Sequence, residues 1–145
     1  MRDLDLAKKV FSDKKVSLVV TKEGKIIFES LESGIFGLLK AIEKLGNQMW
    51  EASVADKVVG RAAALLLAYS RTKEVFAYVL SIEGKKVLET NNIKVEHQTL
   101  VKEILNRTGE DICPFEKFSH NINSLNQAYE QLKVFTENML NKKVG

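Results

Sequence analysis

The chain has 145 residues, 45% hydrophobic and 28% charged, which suits one globular domain with a real core. Its net charge of +3 is spread over interspersed Lys and Glu rather than gathered into a basic stripe, which argues against nucleic acid as the partner. One Cys excludes an internal disulfide and fits a reducing, cytoplasmic setting; the acidic start lacks the apolar stretch of a secretory signal, and the longest apolar run, Ala62 to Tyr69, is far too short to cross a bilayer.

Apolar residues at Leu4, Ala7, Val10 and Phe11 mark one face of a first helix. Val16 to Thr21 and Ile26 to Ser30 read as strands joined by the turn Lys22-Glu23-Gly24-Lys25, a β-hairpin. Gly34 to Leu45 carries Ile35, Leu38, Leu39, Ile42 and Leu45 at helical spacing, and Gly46 supplies a stop. Ser53-Val54-Ala55-Asp56 has the form of a helix start, a capping Ser with an acid three residues on, and predicts one long buried helix running through Ala68. Inside that helix Gly60 costs about 0.5–1 kcal/mol relative to Ala and reads as a point of tight helix–sheet packing. Glu74 to Leu80 has the continuous apolar pattern of a strand covered on both faces. A short helix over Glu83 to Thr90, a strand over Ile93 to His97, a helix over Leu100 to Leu105 and a last helix from about Leu125 to Leu140 complete the chain. Trp50, Tyr69, Phe76 and Tyr78 fall in apolar stretches, which predicts core packing rather than base stacking.

Four strands are legible. A hairpin followed by alternating helices and strands predicts a three-layer α/β/α mixed sheet within a single domain over 1–145, its core at about 16–116 and the last helix at about 125–140.

The chemistry concentrates in one stretch. Cys113, the only Cys, precedes Pro114, the only Pro, and Glu116 follows. Pro at the first helical position makes Cys113 a cap and Glu116 the third helical residue. A helix start and a nearby Arg107 favour the thiolate, and Glu116, Asp111 or His120 could serve as base, so Cys113 is a candidate nucleophile. Nearby acids would oppose that ionisation, and a capped helix with an incidental thiol explains the pattern equally well. Asn106-Arg107-Thr108-Gly109 makes a loop rich in donors, with Arg107 suited to a planar anion; a helix cap at Asn106 followed by a Gly turn is the plain alternative. Asp56 and Lys57 are either a carboxylate and an ammonium at the mouth of a helix, facing the sheet edge where ligands bind, or a capping residue and a solvated lysine.

The runs Val54-Ala55-Asp56-Lys57-Val58-Val59-Gly60-Arg61-Ala62-Ala63-Ala64, Val79-Leu80-Ser81, and Asn106-Arg107-Thr108-Gly109 with Cys113-Pro114-Phe115-Glu116 resemble an uncharacterised prokaryotic family with a cytidine-deaminase-like fold. That resemblance, from about Val16 to Glu116, implies the deaminase-like sheet and favours a site role for Asp56, Lys57 and Ser81. Zinc-dependent deamination needs a His or Cys ligand and a Glu at one helix start, and C-x-x-C at the next. The resemblance would place these on Val54-Ala55-Asp56 and Ser81-Ile82-Glu83-Gly84, where no ligand set exists, so a zinc deaminase is not expected and no cofactor is implied.

The resulting expectation is a metal-free domain that binds a small anionic or nucleotide-like molecule through Asp56, Lys57, Ser81, Asn106, Arg107 and Glu116, with Cys113 at the pocket. Its rivals are a Cys113-dependent transferase or hydrolase, and a regulatory or nucleic-acid-binding module that kept the fold and lost the chemistry. Deaminase-like folds commonly self-associate, so a homo-oligomer is a further expectation.

Overall fold

The computed structural model describes residues 1–144. Its order is α1 (Asp3–Lys14), β1 (Leu18–Lys22), β2 (Lys25–Ser30), α2 (Phe36–Leu45), a 3-10 turn (Gly46–Met49), β3 (Ser53–Val59), α3 (Arg61–Tyr69), β4 (Glu74–Ser81), α4 (Ile82–Thr90), β5 (Lys94–Val101), α5 (Pro114–Ser119) and α6 (Leu125–Val144). The five strands form one mixed sheet in the order β2-β1-β3-β4-β5. β1 pairs antiparallel with β2 and β3, whereas β3, β4 and β5 run parallel.

The hairpin forms as its turn chemistry dictates. Glu23 and Gly24 both have positive φ, 51° and 76°, the pairing that matches the twist of the flanking strands. Asp3 at the start of α1 fastens this turn, its carboxylate accepting from Glu23 N at 2.9 Å and Gly24 N at 2.8 Å.

Helices cover the two faces unequally. α1 lies on one face, where Ala7 and Val10 bury against Val19 and Ala55. The other helices gather on the opposite face, where Leu38, Ala62, Leu66, Ala128 and Leu132 join Leu18, Val20, Val54, Val75 and Ala77 in the main core. Seven consecutive residues of α3, Ala62 to Ala68, are buried, because α4, α5 and α6 pack around the side of the helix that the sheet leaves free. Each such Leu contributes about 1.5–3 kcal/mol relative to an exposed one.

Three predicted elements differ from the structure. The long helix expected from Ser53 is two elements: Ser53–Val59 is strand β3, and the helix starts at Arg61 with Gly60 as its cap. Ser53 and Asp56 therefore form no capping box. β3 is the strand missing from the sequence reading, and it pairs with β1 on one side and β4 on the other. A segment apolar at nearly every position fits a buried strand as well as a buried helix, and Val54, Val58 and Val59 suit the pleat. Second, Leu100–Leu105 is not helical: β5 runs on to Val101, and Leu105 bridges to Ile112 across a tight loop. Third, β4 is not covered on both faces throughout, and Tyr78 stands 47% exposed at the margin of α1; Trp50, also expected in the core, is 43% exposed.

Candidate functional site

Gly60 opens α3 at the carboxyl end of β3, and a helix that starts there leaves its first amides without partners inside the helix. Glu116 supplies the partners. Its Oε1 accepts from Arg61 N at 2.7 Å and its Oε2 from Ala62 N at 2.9 Å. A negative group at a helix start is favoured both by the exposed amides and by the helix dipole. The carboxylate reaches this position only because residue 60 lacks a side chain: a Cβ there would lie 2.0 Å from Oε1. The helical anion site is thus filled from within the chain.

The next helix start is also closed. Ser81 ends β4, and its Oγ accepts from Gly84 N at 2.9 Å to cap α4. Gly84 packs against the β3–α3 junction so closely that a Cβ would come 2.9 Å from Val59 O and 3.0 Å from Gly60 O. Between these two helix starts and the loop after β5 lies a crevice of about 310 Å³, lined among others by Arg61, Ser81, Glu83, Lys102, Glu103, Glu116 and His120. It sits at the carboxyl edge of the parallel strands, the usual ligand position in open α/β sheets. Arg61 is partly engaged: its Nε donates to Ser119 O at 3.3 Å and an Nη to Ile122 O at 3.2 Å.

Of the expected site residues, Ser81 and Glu116 meet in this crevice. Cys113 adjoins it as the cap residue of α5, half-buried, with its amide donating to Ile104 O at 2.9 Å and its carbonyl accepting from Glu116 N and Lys117 N. Among the described residues no hydrogen bond joins its thiol to a base. Asn106 closes the loop of 106–111, accepting at its Oδ1 from Thr108 Oγ1 and Glu110 N, while Arg107 is exposed on that loop. This loop is a hairpin rather than a helix cap.

Asp56 and Lys57 do not stand at a helix mouth. They lie mid-strand on β3, on opposite faces of the sheet. Asp56 is 5% exposed, in register with Leu18 and Ala77 of the main core. Burial pushes its carboxyl up to about 7, offset only in part by the amides of Lys57 and Val58. Lys57 projects beside α1 into a second cavity of about 490 Å³. Arg61, Lys102 and His120 are the crevice residues that the sequence reading left out of the site. His120 enters the sequence reading only as a candidate base for Cys113, and Lys102 has no signal because its segment reads as a helix.

No group of three or more His, Cys, Asp or Glu is placed to hold a metal among the described residues. The segment likened to the first deaminase ligand site, Val54-Ala55-Asp56, is strand rather than helix start, and the true start at Gly60 is occupied by Glu116. This donor set does not fit a zinc-bound water. Among the described residues no helix is long and apolar enough to cross a membrane.

The class defined by these features is a cytidine-deaminase-like α/β fold whose helix starts are sealed by the chain's own Glu116 and Ser81. A family profile described as "TM1506: Domain of unknown function (DUF1893)" matches residues 6–136, and the chain belongs to this family. The crystal structure of a DUF1893 family protein (TM1506) from Thermotoga maritima is similar, with a TM-score of 0.81 and 26% identity over 94% of this chain and 89% of that one. Acinetobacter baumannii RibD in its form 2 matches at a TM-score of 0.50 and 17% identity, covering 88% of this chain but 40% of the RibD chain, a likeness of fold alone. No curated protein matches the chain.

Proposed function

We propose that this protein is a metal-free small-molecule-binding domain whose ligand occupies the crevice at the carboxyl edge of β3, β4 and β5. The observation that supports it is the convergence of Arg61, Ser81, Lys102, Glu116 and His120, drawn from four separate segments, around about 310 Å³ of space. That volume stands at the lower end of ligand pockets, which suits a small metabolite rather than a polymer. Glu116 is committed to the first amides of α3, so Lys102 and the remaining donors of Arg61 face the ligand as its positive partners, with the His120 imidazole beside them. A carboxylate or phosphate on the ligand answers them, and Glu83 and Glu103 leave room for an amine at its other end.

Cys113 belongs to the support of this crevice in the same reading: it caps the short helix that carries Glu116. A free thiol suits a cytoplasmic protein.

The test is a thermal-shift screen of phosphorylated metabolites and nucleotides on the intact chain, repeated with Lys102→Ala and His120→Ala. A ligand present at 100 times its Kd stabilises by about 2.7 kcal/mol, a readily measured rise in Tm. The proposal expects a shift that both variants reduce; no shift with any compound at millimolar concentration refutes it.

A further inference from the structure

The sheet face that carries α1 is only partly covered, and its open part borders a cavity. Register places Ser17, Lys57, Tyr78 and Gln98 side by side across β1, β3, β4 and β5, since Leu18 pairs with Asp56 and Ala77 stands between Asp56 and His97. Tyr78 thus stands between Lys57 on one side and Gln98 on the other. α1 forms the wall of the cavity above this row, contributing Lys8, Phe11 and Ser12, and Lys15 follows as its C-cap. The ring of Phe11 lies 6.0 Å from Phe76 at 73° and 6.3 Å from Tyr78 at 37°, so the three rings enclose one apolar corner.

The charge at this cavity has one sign. Its lining includes Lys8, Lys15 and Lys57 and no carboxylate. Lys8 is already engaged, 2.8 Å from Glu96 Oε1 and 5.1 Å from the centre of the Phe76 ring. Lys15 and Lys57 make no ion pair among the described residues. Aromatic faces beside two unpaired ammonium groups recognise a planar ring that carries a negative group: the ring stacks on Tyr78, and the anion meets Lys57 and Lys15. Gln98 and the Ser12 and Ser17 hydroxyls border the same space and can bond the polar edge of a heterocycle.

We infer that this cavity is a second binding site, separate from the carboxyl-edge crevice, for a planar aromatic anion of the size of one nucleotide. Its volume of about 490 Å³ falls within the range for such ligands, and the α1 wall on one side sets it apart from an open track for a polymer.

The experiment titrates the intact chain with adenosine 5′-monophosphate, phenyl phosphate, adenosine, inorganic phosphate and a short single-stranded oligonucleotide, following Tyr78 and Lys57 by NMR. The same titrations are run on Lys57→Ala, Tyr78→Ala and, as a control in the crevice, Lys102→Ala. The inference expects the two aromatic phosphates to bind more tightly than either adenosine or phosphate alone. Lys57→Ala and Tyr78→Ala should each weaken them on the order of tenfold, and Lys102→Ala should not. Equal binding of inorganic phosphate and the aromatic phosphates overturns the stacking role. Binding lost in Lys102→Ala but kept in Lys57→Ala and Tyr78→Ala overturns the second site while supporting the crevice. Binding of a single-stranded oligonucleotide without any binding of the mononucleotide overturns the free-ligand assignment, and no binding of any probe overturns the inference outright.

Discussion

Asp56 should make the protein lose stability as the pH rises, the reverse of what a salt-bridged carboxylate does. Its carboxyl is buried in register with Leu18 and Ala77, and burial raises its pKa from 3.8 to about 7. Ionising it therefore costs the folded chain about 4 kcal/mol more than the unfolded one. Below about pH 4 both states hold the proton and no penalty exists. Between about pH 4 and pH 7 the unfolded chain gives the proton up while the folded chain keeps it, so this residue's contribution to stability falls steadily. Above about pH 7 the whole penalty is present. Asp56→Asn replaces the group with one that stays neutral at every pH. Urea unfolding of the two proteins, extrapolated to water at about pH 4 and about pH 8, isolates this residue from all other titrating groups. The variant should match the parent within about 1 kcal/mol at the lower pH and exceed it by up to about 4 kcal/mol at the higher. A difference between the two proteins that is the same at both pH values would refute the reasoning.

Glu116→Ala should destabilise by about 2 kcal/mol in urea unfolding, because it frees the Arg61 and Ala62 amides from their carboxylate. Gly60→Ala should cost at least as much, since its methyl displaces the same carboxylate; the double variant should cost less than the two singles together by about 1 kcal/mol or more, and strict additivity would show that the two residues are not coupled. Ser81→Ala should lower stability by about 1 kcal/mol through loss of the α4 cap, with an increase in amide exchange at Gly84 as its local signature. Leu132→Ala, on the buried side of α6, should cost about 2–5 kcal/mol; a smaller loss would mean that α6 is not integral to the main core.

The legible part of the fold was the part whose signals are local. Glu23-Gly24 names its own turn, Gly46 its own helix end and Pro114 its own helix start, and each stands where the sequence places it. β3 escaped because its evidence is non-local. Ser53 and Asp56 imitate a helix start, and the strand is chosen by its partners, β1 some thirty residues before it and β4 some twenty after. That one error moved the helix start from Gly60 to Ser53 and carried Asp56 and Lys57 to a helix mouth they do not occupy. For the site, the start of α3 meets the segment that carries Cys113 through Glu116 rather than through the thiol. The pairing of Gly60 with Glu116 leaves no mark on either local pattern, because each residue has an ordinary local explanation. Lys57 was noticed for its charge, but the aromatic cavity it borders becomes visible only when register aligns it with Tyr78 and Gln98.

The nesting of Glu116 against Gly60 has a bearing on how sequences of this shape change over time. Any side chain at position 60 evicts the acid, and a shorter residue at position 116 removes the tightest of the contacts that keep position 60 bare, leaving Ile104 Cγ1 at 2.8 Å. Replacements at the two places should arrive in couples. The couple then serves as a fingerprint: a distant chain that retains both has its first amides silenced internally, and one that has shed both has left them open to something from outside.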